Sequence, residues 1–147
     1  MSAPQVVPTR VTIARHFKFC AGHRLYRPEW SDERNREVFG LCSNPAGHGH
    51  NYELEVSVTG PVDPTTGMVM NLRSLKHVVE SEVLIDVDHK NLNVDVPWLA
   101  GIVPTTEAFG SAIFGRIAHA LAKAAPGVTL TRLVLHETAN NRVTIEP

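Results

Sequence analysis

His48-Gly49-His50, with Cys42 six positions upstream, is the stretch of this sequence best equipped for chemistry. At the start of an extended strand the two imidazoles project from one face, roughly 7 Å apart at Cα, close enough to share a metal ion. Gly49 leaves room at that ion. Cys42 lies in Leu41-Cys42-Ser43-Asn44-Pro45, a loop punctuated by Asn-Pro and followed by Gly47, from which a thiol can swing over the same place without belonging to the strand. The stretch therefore reads as a metal site with a nucleophile or base beside it.

A third imidazole is available in His23. Val11, Ile13, Phe17 and Phe19 alternate with Thr12, Ala14, His16 and Lys18, which is strand periodicity, and His23 falls on the apolar parity and so looks inward. His23, His48 and His50 together make a three-histidine zinc set that leaves a fourth position for water or substrate. Cys42 has three readings: a fourth ligand that closes the shell, an unligated thiol acting as base beside a dication, or a small buried hydrophobe. Cys20, on the opposite parity and in no polar cluster, reads as structural.

Asp88-His89 reads either as a carboxylate orienting an imidazole for proton transfer or as an ordinary Asx turn in a loop. Glu107 belongs to the first turn of a helix, where a carboxylate is favourable whatever its function. Glu137 shares parity with Leu133 and Leu135 and points toward the mouth of the sheet. A carboxylate buried there needs a cationic or amide-donor partner, which the guanidine-like edge of a ligand would supply. Otherwise both are solvated surface acids. His16, His77, His119 and His136 have no partner pattern.

The elements that must position these groups follow from periodicity. The chain of 147 residues is sized for one domain, and 43% hydrophobic with 20% charged residues is ordinary globular composition. A formal net charge of −1 gives no electrostatic reason for nucleic acid or an anionic membrane as partner. No apolar run approaches a membrane span, and Met1-Ser2-Ala3-Pro4-Gln5 lacks the start of a secretory signal, so the expected location is cytoplasmic, with Cys20 and Cys42 reduced.

Residues 1–9 read as a loose leader and residues 10–147 as the domain. Strands are expected from Arg10 to His23, Asn51 to Thr59, about Leu130 to Glu137, and Arg142 to Glu146, the last two joined across Thr138-Ala139-Asn140-Asn141. Arg27 to Phe39 reads as a long loop or a short helical excursion, and Asp86 to Pro97 as a loop. Asn71 caps a helix carrying Leu72, Leu75, Val79 and Val83, and Pro104-Thr105-Thr106 opens a second with Phe109, Ile113, Ile117 and Leu121. The order β-β-α-α-β-β predicts an α+β fold, a four-stranded antiparallel sheet with two helices on one face.

Phe19-Cys20-Ala21-Gly22-His23-Arg24-Leu25, Cys42 through Tyr52, Asp63 through Leu72, Asp88-His89-Lys90-Asn91-Leu92, Thr105-Thr106-Glu107 and His136-Glu137-Thr138, all in order, resemble the 6-pyruvoyl tetrahydropterin synthase family. The resemblance implies the tunnelling fold, with trimers stacked into hexamers and active sites between subunits. It implies zinc on His23, His48 and His50, Cys42 as the proton-abstracting base, and Asp88 with His89 as its relay. Glu137 would anchor the pterin, with Thr105, Thr106 and Glu107 at the pterin pocket. The implied reaction is that of a lyase on 7,8-dihydroneopterin triphosphate, releasing triphosphate on the way to tetrahydrobiopterin without an external redox cofactor. Arg24 and Lys90 are candidates for the triphosphate.

The departures from the family pattern are small: Ala21-Gly22 precedes His23 where eukaryotic members carry a Ser or Ala pair, and Ala139 stands where Asp is frequent. A related branch, 6-carboxytetrahydropterin synthase of the queuosine pathway, shares fold, metal and substrate but has three residues between its cysteine and His-Gly-His. Here five residues separate Cys42 from His48, as in the pyruvoyl enzymes. A third reading is a zinc-stabilised module that binds pterins without turning them over, with Cys42 as a ligand.

Overall fold

The computed structural model describes residues 9–147; the leader expected over residues 1–9 falls, apart from Thr9, outside them. Two 14-residue strands, β1 (Arg10–His23) and β2 (His48–Pro61), form a long antiparallel ribbon paired from Arg10 against Pro61 to His23 against His48. Alternation along β1, interrupted on the inner parity by Arg15, accompanies this length: one face supplies Phe17, Phe19 and Ala21 to the core, while the other stays more exposed. Between the strands, Arg27 to Phe39 takes the helical alternative, α1 (Asp32–Phe39), capped by the Ser31 hydroxyl and followed by a 3-10 turn, Gly40–Ser43.

Helix α2 (Leu72–Val79), capped by Asn71, continues through a π turn, Glu80–Leu84, into α3 (Ile85–Val87). A two-residue strand, β3 (Lys90–Asn91), follows, then a 3-10 turn at Pro97–Leu99 and helix α4 (Thr106–Ala124). Strands β4 (Thr129–His136) and β5 (Arg142–Ile145) close the chain as a hairpin. Tyr52, Leu54, Val56 and Val58 of β2 and Leu133 and Leu135 of β4 pack against Leu75, Val79, Phe109, Ile113 and Ile117 of the helices, all nearly or fully buried. Each such side chain contributes about 1.5–3 kcal/mol. At the centre Phe19 stacks on Tyr52 with ring centroids 5.0 Å apart, and Phe109 meets both edge-on.

The sheet corrects the expectation of four antiparallel strands. It has five, in the order β3-β1-β2-β4-β5, and β3 runs parallel to β1 through Ala21 with Lys90 and Gly22 with Asn91. The stretch expected as a loop from Asp86 to Pro97 thus contains the end of a helix, an edge strand and a turn. Two residues carry no periodicity, so β3 exists because its neighbours hold it: His89 N–H donates to Cys20 O and Leu92 N–H to Gly22 O. The α+β class and the helix-covered face stand as expected. Among the described residues no helix is long and apolar enough to cross a membrane.

Candidate functional site

The closed end of the β1–β2 ribbon brings His23, His48 and His50 together, because residues opposite one another in an antiparallel pair point to the same side. His23 pairs with His48 and Ala21 with His50, so all three imidazoles emerge on the helix-covered face. Their ring centroids form a nearly equilateral triangle with sides of 4.7, 5.0 and 4.8 Å, the rings close to perpendicular. One donor nitrogen from each lies within 4.8 Å of the other two.

The surroundings set the state of these rings. His23, 2% exposed, bonds through Nδ1 to Pro104 O at 2.9 Å. A carbonyl only accepts, so Nδ1 carries the proton and the Nε2 lone pair faces His48 Nε2 3.1 Å away. Burial holds His23 below the ordinary histidine pKa, against the Pro104 bond and Glu137, which raise it. His50 is lowered for the same reason, with Glu137 opposing. Both are therefore neutral near neutral pH, the form that ligates a metal. His50 Nε2 is buried without a hydrogen-bond partner. An unpartnered ring nitrogen converging with two further imidazoles is what a metal ion satisfies, and the donor set fits zinc.

Glu137 closes the cluster. It follows β4, lies only 18% exposed, and places Oε1 3.7 Å from His50 Nε2 and Oε2 4.0 Å from His23 Nε2. Thr106 Oγ1 donates to Glu137 Oε2 at 2.6 Å. The inward direction expected for Glu137 is correct, but the partners within the chain are a hydroxyl and the imidazoles. Thr105 caps α4 by accepting from Ala108 N–H, and Glu107 is exposed in the first turn. Tyr52 stands behind His50, its hydroxyl buried and unpartnered, its pKa raised by burial and by Glu137.

Cys42 is half-buried on the Gly40–Ser43 turn and belongs to neither group of converging metal-type donors found among the described residues. Its loop is tied to the residues after His23: Leu25 N–H donates to Cys42 O at 2.8 Å, and Arg24 Nε–H to Ser43 O at 2.8 Å. The Arg24 guanidinium lies over Tyr26. Gly47 joins the loop to β2 at φ 68°, where a Cβ would sit 2.8 Å from His23 O. Gly47→Ala should therefore lose roughly 1–3 kcal/mol from backbone strain alone, more once the clash moves His23. Its urea midpoint should drop at constant m value, and metal affinity should fall with it; an unchanged midpoint would show that the turn is not fixed as described.

Asp88 and His89 do touch. Asp88 Oδ1 accepts from His89 Nδ1 at 2.9 Å and from Cys20 N–H at 3.1 Å, with His89 at φ 61°. That left-handed backbone costs a residue other than glycine on the order of 1 kcal/mol, and the Asp88 contact and the bond to Cys20 O hold it. The third member of this group is Cys20, whose donor atom lies within 4.8 Å of the other two. The pattern around Cys20 reads as structural, and alternation does place it on the outer face, but the residues it meets there, Asp88 and His89 just ahead of β3, come from far along the sequence. One chain therefore separates the expected machinery into a histidine–carboxylate cradle on one face of the ribbon and a carboxylate–imidazole dyad on the other.

The fold and the cluster together define an α+β chain with a candidate metal centre, three strand-borne histidines beside a half-buried carboxylate. The family model for 6-pyruvoyl tetrahydropterin synthase matches residues 12–147. The 6-pyruvoyl tetrahydrobiopterin synthases of Poecilia reticulata and Homo sapiens are 48% and 46% identical over 131 residues, covering 89% of this chain and 86% and 88% of those proteins. The solved structure of Caenorhabditis elegans 6-pyruvoyl tetrahydropterin synthase superposes with a TM-score of 0.87 at 37% identity, covering 97% of this chain and 99% of that one. The chain belongs to the 6-pyruvoyl tetrahydropterin synthase family.

Proposed function

We propose that this chain is a zinc-dependent 6-pyruvoyl tetrahydropterin synthase, a lyase that converts 7,8-dihydroneopterin triphosphate to 6-pyruvoyl tetrahydropterin with release of triphosphate, for tetrahydrobiopterin synthesis. The observation that carries this reading is the convergence of three imidazoles and the Glu137 carboxylate in one half-buried cluster. His23, His48 and His50 hold the zinc, which when bound supplies Lewis acidity to the C–H and O–H groups of the substrate side chain.

Glu137 accepts from the pterin ring N–H and amino group, and Thr106 fixes that carboxylate through its hydroxyl. Thr105 and Glu107 stand at the same helix terminus and flank the pterin. Cys42 is the base that takes the side-chain proton, carried on a loop anchored to the residues after His23. Asp88 orients His89 through Nδ1, which leaves Nε2 to accept and return protons. Because dyad and cradle face opposite sides of the ribbon, the reading joins them between copies, in trimers that stack into hexamers.

The test is to incubate zinc-loaded protein anaerobically with 7,8-dihydroneopterin triphosphate and assay triphosphate, acetaldehyde and pterins together. Triphosphate with a pyruvoyl pterin and no acetaldehyde is expected. Acetaldehyde with a carboxypterin would move the chain to the carboxy branch, and no triphosphate from folded, zinc-bound protein would leave a pterin-binding module.

A further inference from the structure

We propose that Tyr52 is a positioning residue for Glu137: its buried hydroxyl donates to that carboxylate when the histidine cradle is loaded, fixing the oxygens that meet the ligand. The proposal rests on the reading of Glu137 as the anchor of the pterin. Among the described residues two buried side-chain polar atoms have no hydrogen-bond partner, His50 Nε2 and the Tyr52 hydroxyl. A metal ion accounts for the first and leaves the second. A hydroxyl buried without an acceptor is costly, so its acceptor is to be sought in the loaded state of the site.

Strand register supplies that acceptor. Strands β2 and β4 pair Leu54 with Leu135 and Glu53 with His136, and one further step in the same register sets Glu137 opposite Tyr52. Residues opposite one another share a face, here the inner one. Tyr52, 1% exposed, meets His50 edge-on with ring centroids 5.7 Å apart, and Glu137 Oε1 lies 3.7 Å from His50 Nε2. The Tyr52 ring is a fixed donor, stacked on Phe19 and edge-on to Phe109, and burial together with Glu137 raises its pKa, so it keeps its proton. A carboxylate offers about four acceptor sites, of which Thr106 takes one on Oε2 at 2.6 Å. A cation on His50 Nε2 takes that nitrogen away from Oε1, and a turn of the Glu137 side chain offers Oε1 to the phenol. Two hydroxyls then hold one oxygen each, and each oxygen keeps a lone pair for the ligand.

The test compares wild-type protein, Tyr52→Phe, Glu137→Ala and the double variant, all full-length and zinc-loaded, with 7,8-dihydroneopterin as the binding probe. Tyr52→Phe keeps the ring packing, so fold and zinc content should not change. Its Kd for the probe and its KM for the triphosphate substrate should rise about three- to tenfold, the worth of one hydrogen bond, with kcat little altered. In the Glu137→Ala background the same substitution should cost nothing further. Unchanged affinity in Tyr52→Phe, or an equal loss without Glu137, would overturn the proposal. A second readout needs no pterin. Tyr26 and Tyr52 are the two tyrosines of the chain, so in zinc-loaded Tyr26→Phe the tyrosine Raman doublet reports Tyr52 alone. It should show a strongly donating phenol and lose that signature when Glu137→Ala is added; a phenol that does not donate, or donates equally without Glu137, would overturn the proposal. If the signature is present but wild-type protein fails to bind the probe, the pterin reading falls while the bond between Tyr52 and Glu137 stands.

Discussion

Replacing His48 with alanine should strip the protein of its tightly held zinc while leaving the fold intact. The side-chain hydrogen bond of His48 is to His23 Nε2 at 3.1 Å, within the cluster itself, and its ring meets those of His23 and His50 edge-on. Its backbone stays paired with His23 in the ribbon whatever side chain it carries. Loss of one ligand leaves two imidazoles, too few for a stable centre. Since a partner outside the ligand set is already worth 10–100-fold in metal affinity, a ligand should be worth roughly 100-fold or more. Metal content after exhaustive dialysis, with the circular dichroism spectrum as the fold control, decides the matter. One retained equivalent of zinc in His48→Ala would mean that the cradle is not the metal site.

His48 is a better probe than His23. His23 is buried, and its Nδ1–H satisfies Pro104 O at the entry to α4, so its removal orphans a carbonyl and costs stability as well as metal. A loss of binding in His23→Ala would not separate those two effects. The bond to Pro104 also fixes the tautomer, which makes His23 the most rigidly presented of the three donors.

What was legible in the sequence followed from short-period patterns. The alternation of β1 places His23 on the inner face, and that parity, together with His-x-His on β2, is enough to bring the three imidazoles to one side. Glu137 was legible in direction for the same reason. The parts that were not legible depend on chain crossing. Lys90–Asn91 is too short to show a period, and its parallel pairing with β1 is dictated by the backbone groups of Cys20 and Gly22. Cys20 therefore gains Asp88 and His89 as neighbours although 68 residues separate Cys20 from Asp88, and nothing in its local pattern signals it. In place of the Asx turn that Asp88-His89 also allowed, Asp88 Oδ1 accepts from the His89 ring and from Cys20 N–H, the second a contact that only the chain crossing supplies.

The second large effect concerns Cys42. Cys42→Ala should keep zinc and fold yet lower kcat about 10²–10⁴-fold, the usual contribution of a positioned base. The thiol belongs to neither converging group of donors among the described residues, while its loop is bonded through Leu25 N–H and Arg24 Nε–H to the chain leaving His23. The loop is thus tied to the chain just beyond His23, while its thiol stays outside the converging donors. A ligand role predicts the reverse pattern, with zinc lost along with activity and a sulfur scatterer near the metal at about 2.3 Å in X-ray absorption. Cys42→Ser sharpens the comparison, because a hydroxyl preserves volume and hydrogen bonding but is a far weaker base, so it should be as inactive as the alanine variant. If either variant turned over substrate at the wild-type rate with zinc in place, proton abstraction would have to be reassigned, and His89, already backed by Asp88 at 2.9 Å, would be the group to examine next.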